Sequence, residues 1–129
     1  MSTQVETMNA QEVANRLVQL CRDGQDIDAI NELYSDNIVS IEPEGSPMQE
    51  KTIGKKAVLE STNRWYSSVE QLHSFHISDP IVSSNFFACT MNFDITFKDH
   101  GRNAMDELCV YEVKDGRIVT AQFFYNTGK

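Results

Sequence analysis

The chain has 129 residues, and its 11 Lys and Arg against 19 Asp and Glu give a formal net charge of −8. With 40% hydrophobic and 23% charged residues it has the composition of one globular domain, long enough to bury about two-thirds of its unfolded surface. The acidic excess argues against a nucleic-acid partner, no apolar run approaches the ~20 residues of a membrane span, and the first residues lack the marks of a signal peptide.

One cytoplasmic domain over residues 1–129 is therefore expected, with 1–8 as a flexible N-terminus. The three cysteines, Cys21, Cys89 and Cys109, are odd in number and show no Cys-x-x-Cys spacing. They read as reduced thiols, not as a disulfide framework or a closed zinc site.

A first helix is predicted to open at Asn9, with Glu12 completing a capping box and Val13, Leu17, Leu20 and Cys21 forming its apolar stripe. Gly24 stops it. Asp26 is placed to cap a second, short helix carrying Ile30, Leu33 and Tyr34. Ser35-Asp36-Asn37 then reads as a turn into a strand from Ile38 to Glu42, and Pro43, Gly45 and Pro47 enforce a loop. A third helix opens near Gly54, with Val58, Thr62, Trp65, Tyr66 and Val69 on one face.

Leu72 to Ser78 reads as a strand closed by Asp79-Pro80. From Phe87 to Phe97 apolar residues alternate with polar ones, the clearest period-two pattern in the chain. Asp99-His100-Gly101 turns it into a strand from Asn103 to Lys114, and Asp115-Gly116 is a hairpin signal leading to a last strand from Arg117 to Tyr125. Helices first and strands after make an α+β domain, with three helices covering one face of an antiparallel meander.

Two carboxylates stand out. Glu107 shares a strand face with Met105, Cys109, Tyr111 and Val113. It is either a rim residue, a salt-bridge partner of Arg64 or Arg16, or a pocket acid whose pKa burial would raise. Glu42 follows Ile38 and Ser40 on its strand face and is either a solvated loop-edge residue or a second inward acid. On a strand His73 and His76, three apart, point to opposite faces, so no metal site is expected; His76 alone is a candidate proton relay facing the pocket. Apolar residues on the opposite face of the late strands, Leu108, Val110, Ile118 and Phe124, point to a homodimer.

The element order resembles that of the nuclear transport factor two-like superfamily. So do four local words: Asp26-Ile27-Asp28-Ala29-Ile30, Leu33-Tyr34-Ser35-Asp36-Asn37, Ile41-Glu42-Pro43-Glu44-Gly45 and Asp115-Gly116-Arg117-Ile118. That superfamily includes ketosteroid isomerases, SnoaL-like polyketide cyclases, scytalone dehydratase and limonene epoxide hydrolase. The resemblance implies a cone-shaped, strongly curved, mixed or antiparallel sheet whose open side the three helices close over an apolar pocket. It places Val18, Ile38, Ser40, Met91, Phe93, Cys109, Phe123 and Tyr125 on the pocket wall, with Trp65 near the mouth.

Glu42-Pro43 falls where ketosteroid isomerases carry their proton-abstracting carboxylate, so the implied role of Glu42 is general base. The two oxyanion donors of those enzymes fall on Val18 and Cys109, which cannot serve. One such donor is worth roughly 3–4 kcal/mol, so the chain departs from a steroid isomerase in the strict sense. A protonated Glu107, Tyr34, Tyr125 or the Trp65 indole would be the replacement donors.

Three readings follow. The first is a cofactor-free isomerase, cyclase or dehydratase using Glu42 and Glu107 on a hydrophobic carbonyl or enol compound. The second is a ligand-binding protein without chemistry, and the third is a dimerisation module. The scaffold alone does not choose among them.

Overall fold

The computed structural model describes residues 8–127. The flexible N-terminus expected over 1–8 lies outside the described residues except for Met8, which packs against the core.

Helix α1 (Ala10–Arg22) starts with the expected capping box: Asn9 Oδ1 accepts from the Glu12 amide at 2.9 Å, and Glu12 Oε1 accepts from the Asn9 amide at 3.1 Å. Its stripe of Val13, Ala14, Leu17, Leu20 and Cys21 is buried. Helix α2 (Asp26–Leu33) differs from expectation at its start. Asp26 lies inside the first turn and caps nothing, because its carboxylate accepts a hydrogen bond from the Tyr66 hydroxyl instead.

Strand β1 (Tyr34–Ile41) follows α2 with no intervening turn. Ser35-Asp36-Asn37, expected to be that turn, lies within the strand. Its turn chemistry survives as an irregularity in register, a step of five residues along β1 from Tyr34 to Val39 matching a step of two along β7 from Ile118 to Thr120, with the Asn37 amide donating to Ser35 Oγ at 3.2 Å. Strand β2 (Lys51–Ile53), too short to leave a sequence signal, pairs antiparallel with β1.

Helix α3 (Lys55–Ser68) is preceded by Gly54 at φ 97°, a backbone state that favours glycine. Then come β3 (Val69–Ile77), the unanticipated β4 (Ile81–Ser83), β5 (Phe86–Phe97), β6 (Gly101–Lys114) and β7 (Arg117–Phe124). Asp115 and Gly116, both at positive φ, make the β6–β7 hairpin turn.

The seven strands form one mixed sheet ordered β2-β1-β7-β6-β5-β3, with β4 on β5. β1 and β7 run parallel and the other pairs antiparallel. The core lies between the inner sheet face (Ile38, Ile77, Phe87, Cys89, Cys109, Tyr111, Ile118) and the stripes of α1 and α2. Ile118, expected on the outer face with Leu108 and Phe124, is turned inward and buried, because the register shift between β6 and β7 pairs it with Val113. α3 buries only Val58 in the core, with Leu59 partly buried against it. A helix seated this lightly leaves space between itself and the sheet, and there the candidate site lies. Among the described residues, no helix is long and apolar enough to cross a membrane.

Candidate functional site

A half-open cavity of about 180 Å³ sits under α3. Its walls are Leu17 and Cys21 of α1, Ala29 and Ile30 of α2, Thr62, Trp65 and Tyr66 of α3, and Phe75, Met91, Phe93, Met105, Tyr111 and Phe123 of the sheet. Strand periodicity explains the sheet side. Phe87↔Tyr111, Cys89↔Cys109, Met91↔Glu107 and Phe93↔Met105 are directly opposed across β5 and β6, so all point to one face. Trp65 meets Phe93 edge-on at 5.8 Å between ring centres, tying α3 to that wall.

Glu42 and Glu107 line this one cavity. Glu107 has no ion-pair partner among the described residues. Arg16, one suggested partner, is engaged by Glu32 at 2.6 Å, and Arg64, the other, forms no ion pair among the described residues. Burial, and secondarily the charge of Glu42, push the Glu107 carboxyl up to about 7. Glu42 is also raised by burial, but a hydrogen bond from the Tyr125 hydroxyl at 2.6 Å opposes the shift. The two carboxylates repel each other, and the Tyr125 hydrogen bond, which favours the ionised form, is made to Glu42 and not to Glu107.

A relay holds Glu42. The Tyr125 proton is committed to Glu42, so Ser46 donates to the Tyr125 oxygen at 2.5 Å, and Ser46 Oγ accepts from the Met48 amide at 3.0 Å. The loop after β1 is thereby fastened to the residue just past β7. At the rim, Tyr66 donates to Asp26 and joins α3 to α2. Burial pushes the phenols of Tyr34, Tyr66 and Tyr125 upward, so all three stay protonated donors at neutral pH. Cys21 is pushed up to about 12 by burial and remains a thiol, not a nucleophile.

Of the other residues assigned to the wall from sequence, Tyr34, Trp65, Met91, Phe93 and Phe123 line the cavity, and Ser40 lines a smaller space beside it. Tyr125 lies one hydrogen bond behind Glu42. Val18, Ile38 and Cys109 line neither space: at 3%, 0% and 0% exposure they are sealed into the core. On α1 the wall is Leu17 and Cys21, four apart, and Val18 is turned one residue (about 100°) away from it. His76 is exposed and does not reach the pocket, because His73, Phe75 and Ile77 take the inward positions of β3. Ser46, Met48, Tyr66 and Met105 were not foreseen. Met105 and Tyr66 did carry a signal, Met105 through the alternation it shares with Glu107 and Tyr66 through the helix face it shares with Trp65.

The SnoaL-like domain pattern matches residues 8–125, nearly the whole described chain. The chain belongs to the SnoaL-like domain family.

A SnoaL-like relative from Mesorhizobium loti, named as a candidate polyketide cyclase, is 31% identical, with TM-score 0.83 over 92% of this chain and 100% of that one. A protein from Bacillus subtilis named as a candidate isomerase is 26% identical, with TM-score 0.68 over 92% and 90%. An NTF2-like protein from Burkholderia thailandensis, 15% identical with TM-score 0.80 over 94% and 93%, shares the fold. No curated protein matches the chain.

Proposed function

We propose that this SnoaL-like chain is an acid/base catalyst of the isomerase, cyclase or lyase type, acting on a small hydrophobic carbonyl or enol compound. The observation that carries the reading is two carboxyl groups lining one apolar cavity, neither held by a cation among the described residues, with the second raised to about 7. Such a pair divides labour. Glu42, ionised and aimed by Tyr125, takes the proton from the carbon beside the carbonyl. Glu107, still protonated, gives its proton to the carbonyl oxygen. With a carbon–carbon double bond next to the deprotonated carbon, the product of this step is the neutral dienol; return of the Glu42 proton to the far end of that dienol, with Glu107 recovering its own, completes an isomerisation. Both proton carriers are side chains, so the reaction asks for no cofactor. The names of the Mesorhizobium loti and Bacillus subtilis relatives fit this chemistry.

In this reading the sheet is the curved wall of a cone. The register shifts that leave extra residues in β1, β3 and β7 support it, since such irregularities bend strands. The test is exchange of the α- and γ-protons of 2-cyclohexenone in D₂O, followed by NMR. Glu42→Gln should slow it about a hundredfold or more, and wild-type exchange no faster than buffer removes the catalytic reading.

We also propose a homodimer through the outer sheet face. Leu108 and Phe124 are directly opposed across β6 and β7 and are 44% and 45% exposed, with Ile81 and Phe86 on neighbouring strands also uncovered. Sedimentation should show a dimer that Leu108→Glu converts to monomer; a wild-type monomer at micromolar concentration ends the proposal.

A further inference from the structure

Beside the main cavity lies a second space of about 80 Å³, and the two share Ile30, Tyr34, Glu42, Met48, Thr62 and Phe123. Their chemistry differs. The main cavity is walled by aromatic and thioether side chains. The second is walled on one side by Ser40 and Thr52, directly opposed across β1 and β2, and on the other by Ser61 and Thr62 of α3. Gln49 contributes there as well; its amide nitrogen is already given to the Lys51 carbonyl, which leaves its side-chain oxygen as an acceptor. The Thr62 hydroxyl donates to the Val58 carbonyl and keeps its lone pairs. Glu42 stands at the junction.

We infer that the substrate is a compact, one-ring enolisable carbonyl compound carrying a short uncharged hydroxylated arm next to its reacting carbon, ring in the main cavity and arm in the alcove. The inference rests on the acid/base reading above, which puts the reacting carbon at Glu42. Size sets the ring. A cavity of roughly 150 Å³ holds one benzene, so about 180 Å³ suits one substituted ring. With a water occupying about 30 Å³, the alcove has room for two or three groups of that size, a hydroxyethyl arm and little more. Charge sets the arm. Among the described residues no lysine or arginine lines the alcove, so an anionic arm would face the Glu42 carboxylate without a counter-charge. Hydroxyls on two facing elements instead offer donors and acceptors to a neutral hydroxyl, and these polar groups are left unmatched when the arm is a hydrocarbon.

The experiment compares two phenols that mimic the enol, 2-ethylphenol and 2-(2-hydroxyethyl)phenol, with 2-(2-hydroxyphenyl)acetate as the charged control. Dissociation constants come from calorimetry at pH 6, and the emission of Trp65, the one tryptophan in the chain and part of the cavity wall, locates the binding. The hydroxyethyl compound should bind about tenfold tighter than the ethyl compound, the worth of one good neutral hydrogen bond, and the acetate weakest. In the Ser61→Ala, Thr52→Val double variant the ratio of the two phenols should fall to about one. Equal affinities in the wild type, or tightest binding of the acetate, overturn the inference; if 2-cyclohexenone exchange is intact at the same time, the acid/base reading stands without it. A tenfold preference in a protein that exchanges no protons keeps the ligand class and removes the chemistry. Binding of neither phenol overturns the inference, and the acid/base reading falls with it only when 2-cyclohexenone exchange is also no faster than in buffer.

Discussion

Glu107→Gln should make the protein more stable at pH 8, by about 3 kcal/mol, while slowing proton transfer about a hundredfold. The stability half follows from linkage. In the unfolded chain a glutamate loses its proton near 4.5, whereas burial holds the Glu107 proton in the folded state up to about 7. Between those values the folded state binds the extra proton, so stability falls as pH rises and the full loss is reached above about 7. A glutamine has nothing to ionise and removes that slope. Urea denaturation of both proteins at pH 4.5, 6 and 8 reads it directly: near-equal midpoints at pH 4.5, a gap in favour of the variant already open at 6, and a wider one at 8. A gap that stays flat with pH would mean that Glu107 ionises in the fold as it does in water.

The catalytic half has the opposite sign, and that opposition is informative. A glutamine amide still donates a hydrogen bond to a carbonyl oxygen but cannot transfer a proton to it. Wild-type exchange should therefore decline as pH rises through about 7, where Glu107 loses its proton. The residual activity of Glu107→Gln should lack that limb. A group that costs stability in its ionised state and supplies rate in its protonated one is the trade expected at a working site.

Local signals carried most of the fold. The Asn9–Glu12 capping box, the stop at Gly24, the period-two run of β5 and the Asp115-Gly116 hairpin each depend on residues a few positions apart, and each appears where the sequence puts it. Ser35-Asp36-Asn37 misled because its turn propensity is local, whereas its place in β1 is set by parallel pairing with β7, about 80 residues on. The site divides along the same line. Alternation puts Glu107 on the face of Met105 and Tyr111, and Glu42 on the face of Ser40. The relay from Met48 through Ser46 and Tyr125 to Glu42, and the Tyr66–Asp26 bond at the rim, join residues 79, 83 and 40 apart in sequence by single hydrogen bonds. No spacing rule announces them. Val18 and Leu17 show the resolution limit of a helical stripe: adjacent residues about 100° apart, one sealed in the core and one on the cavity wall.

Phe87→Ala should cost about 3–5 kcal/mol, although Phe87 does not line the cavity. The ring is 1% exposed and stacks on Tyr111 at 4.7 Å with an interplanar angle of 21°, the two residues being directly opposed across β5 and β6. Tyr111 in turn meets Phe123 edge-on at 6.3 Å, and both of those rings are cavity wall. Truncation therefore removes the transfer free energy of a buried ring and leaves a void bordering a wall residue. Tyr111 can relax into that void only by leaving its contact with Phe123, so the same variant should weaken 2-ethylphenol binding without touching a residue that contacts it. Chemical denaturation measures the first effect and calorimetry the second. A loss below about 1 kcal/mol would mean that the neighbouring side chains close over the gap, a collapse that the opposed strands β5 and β6 leave little freedom to make.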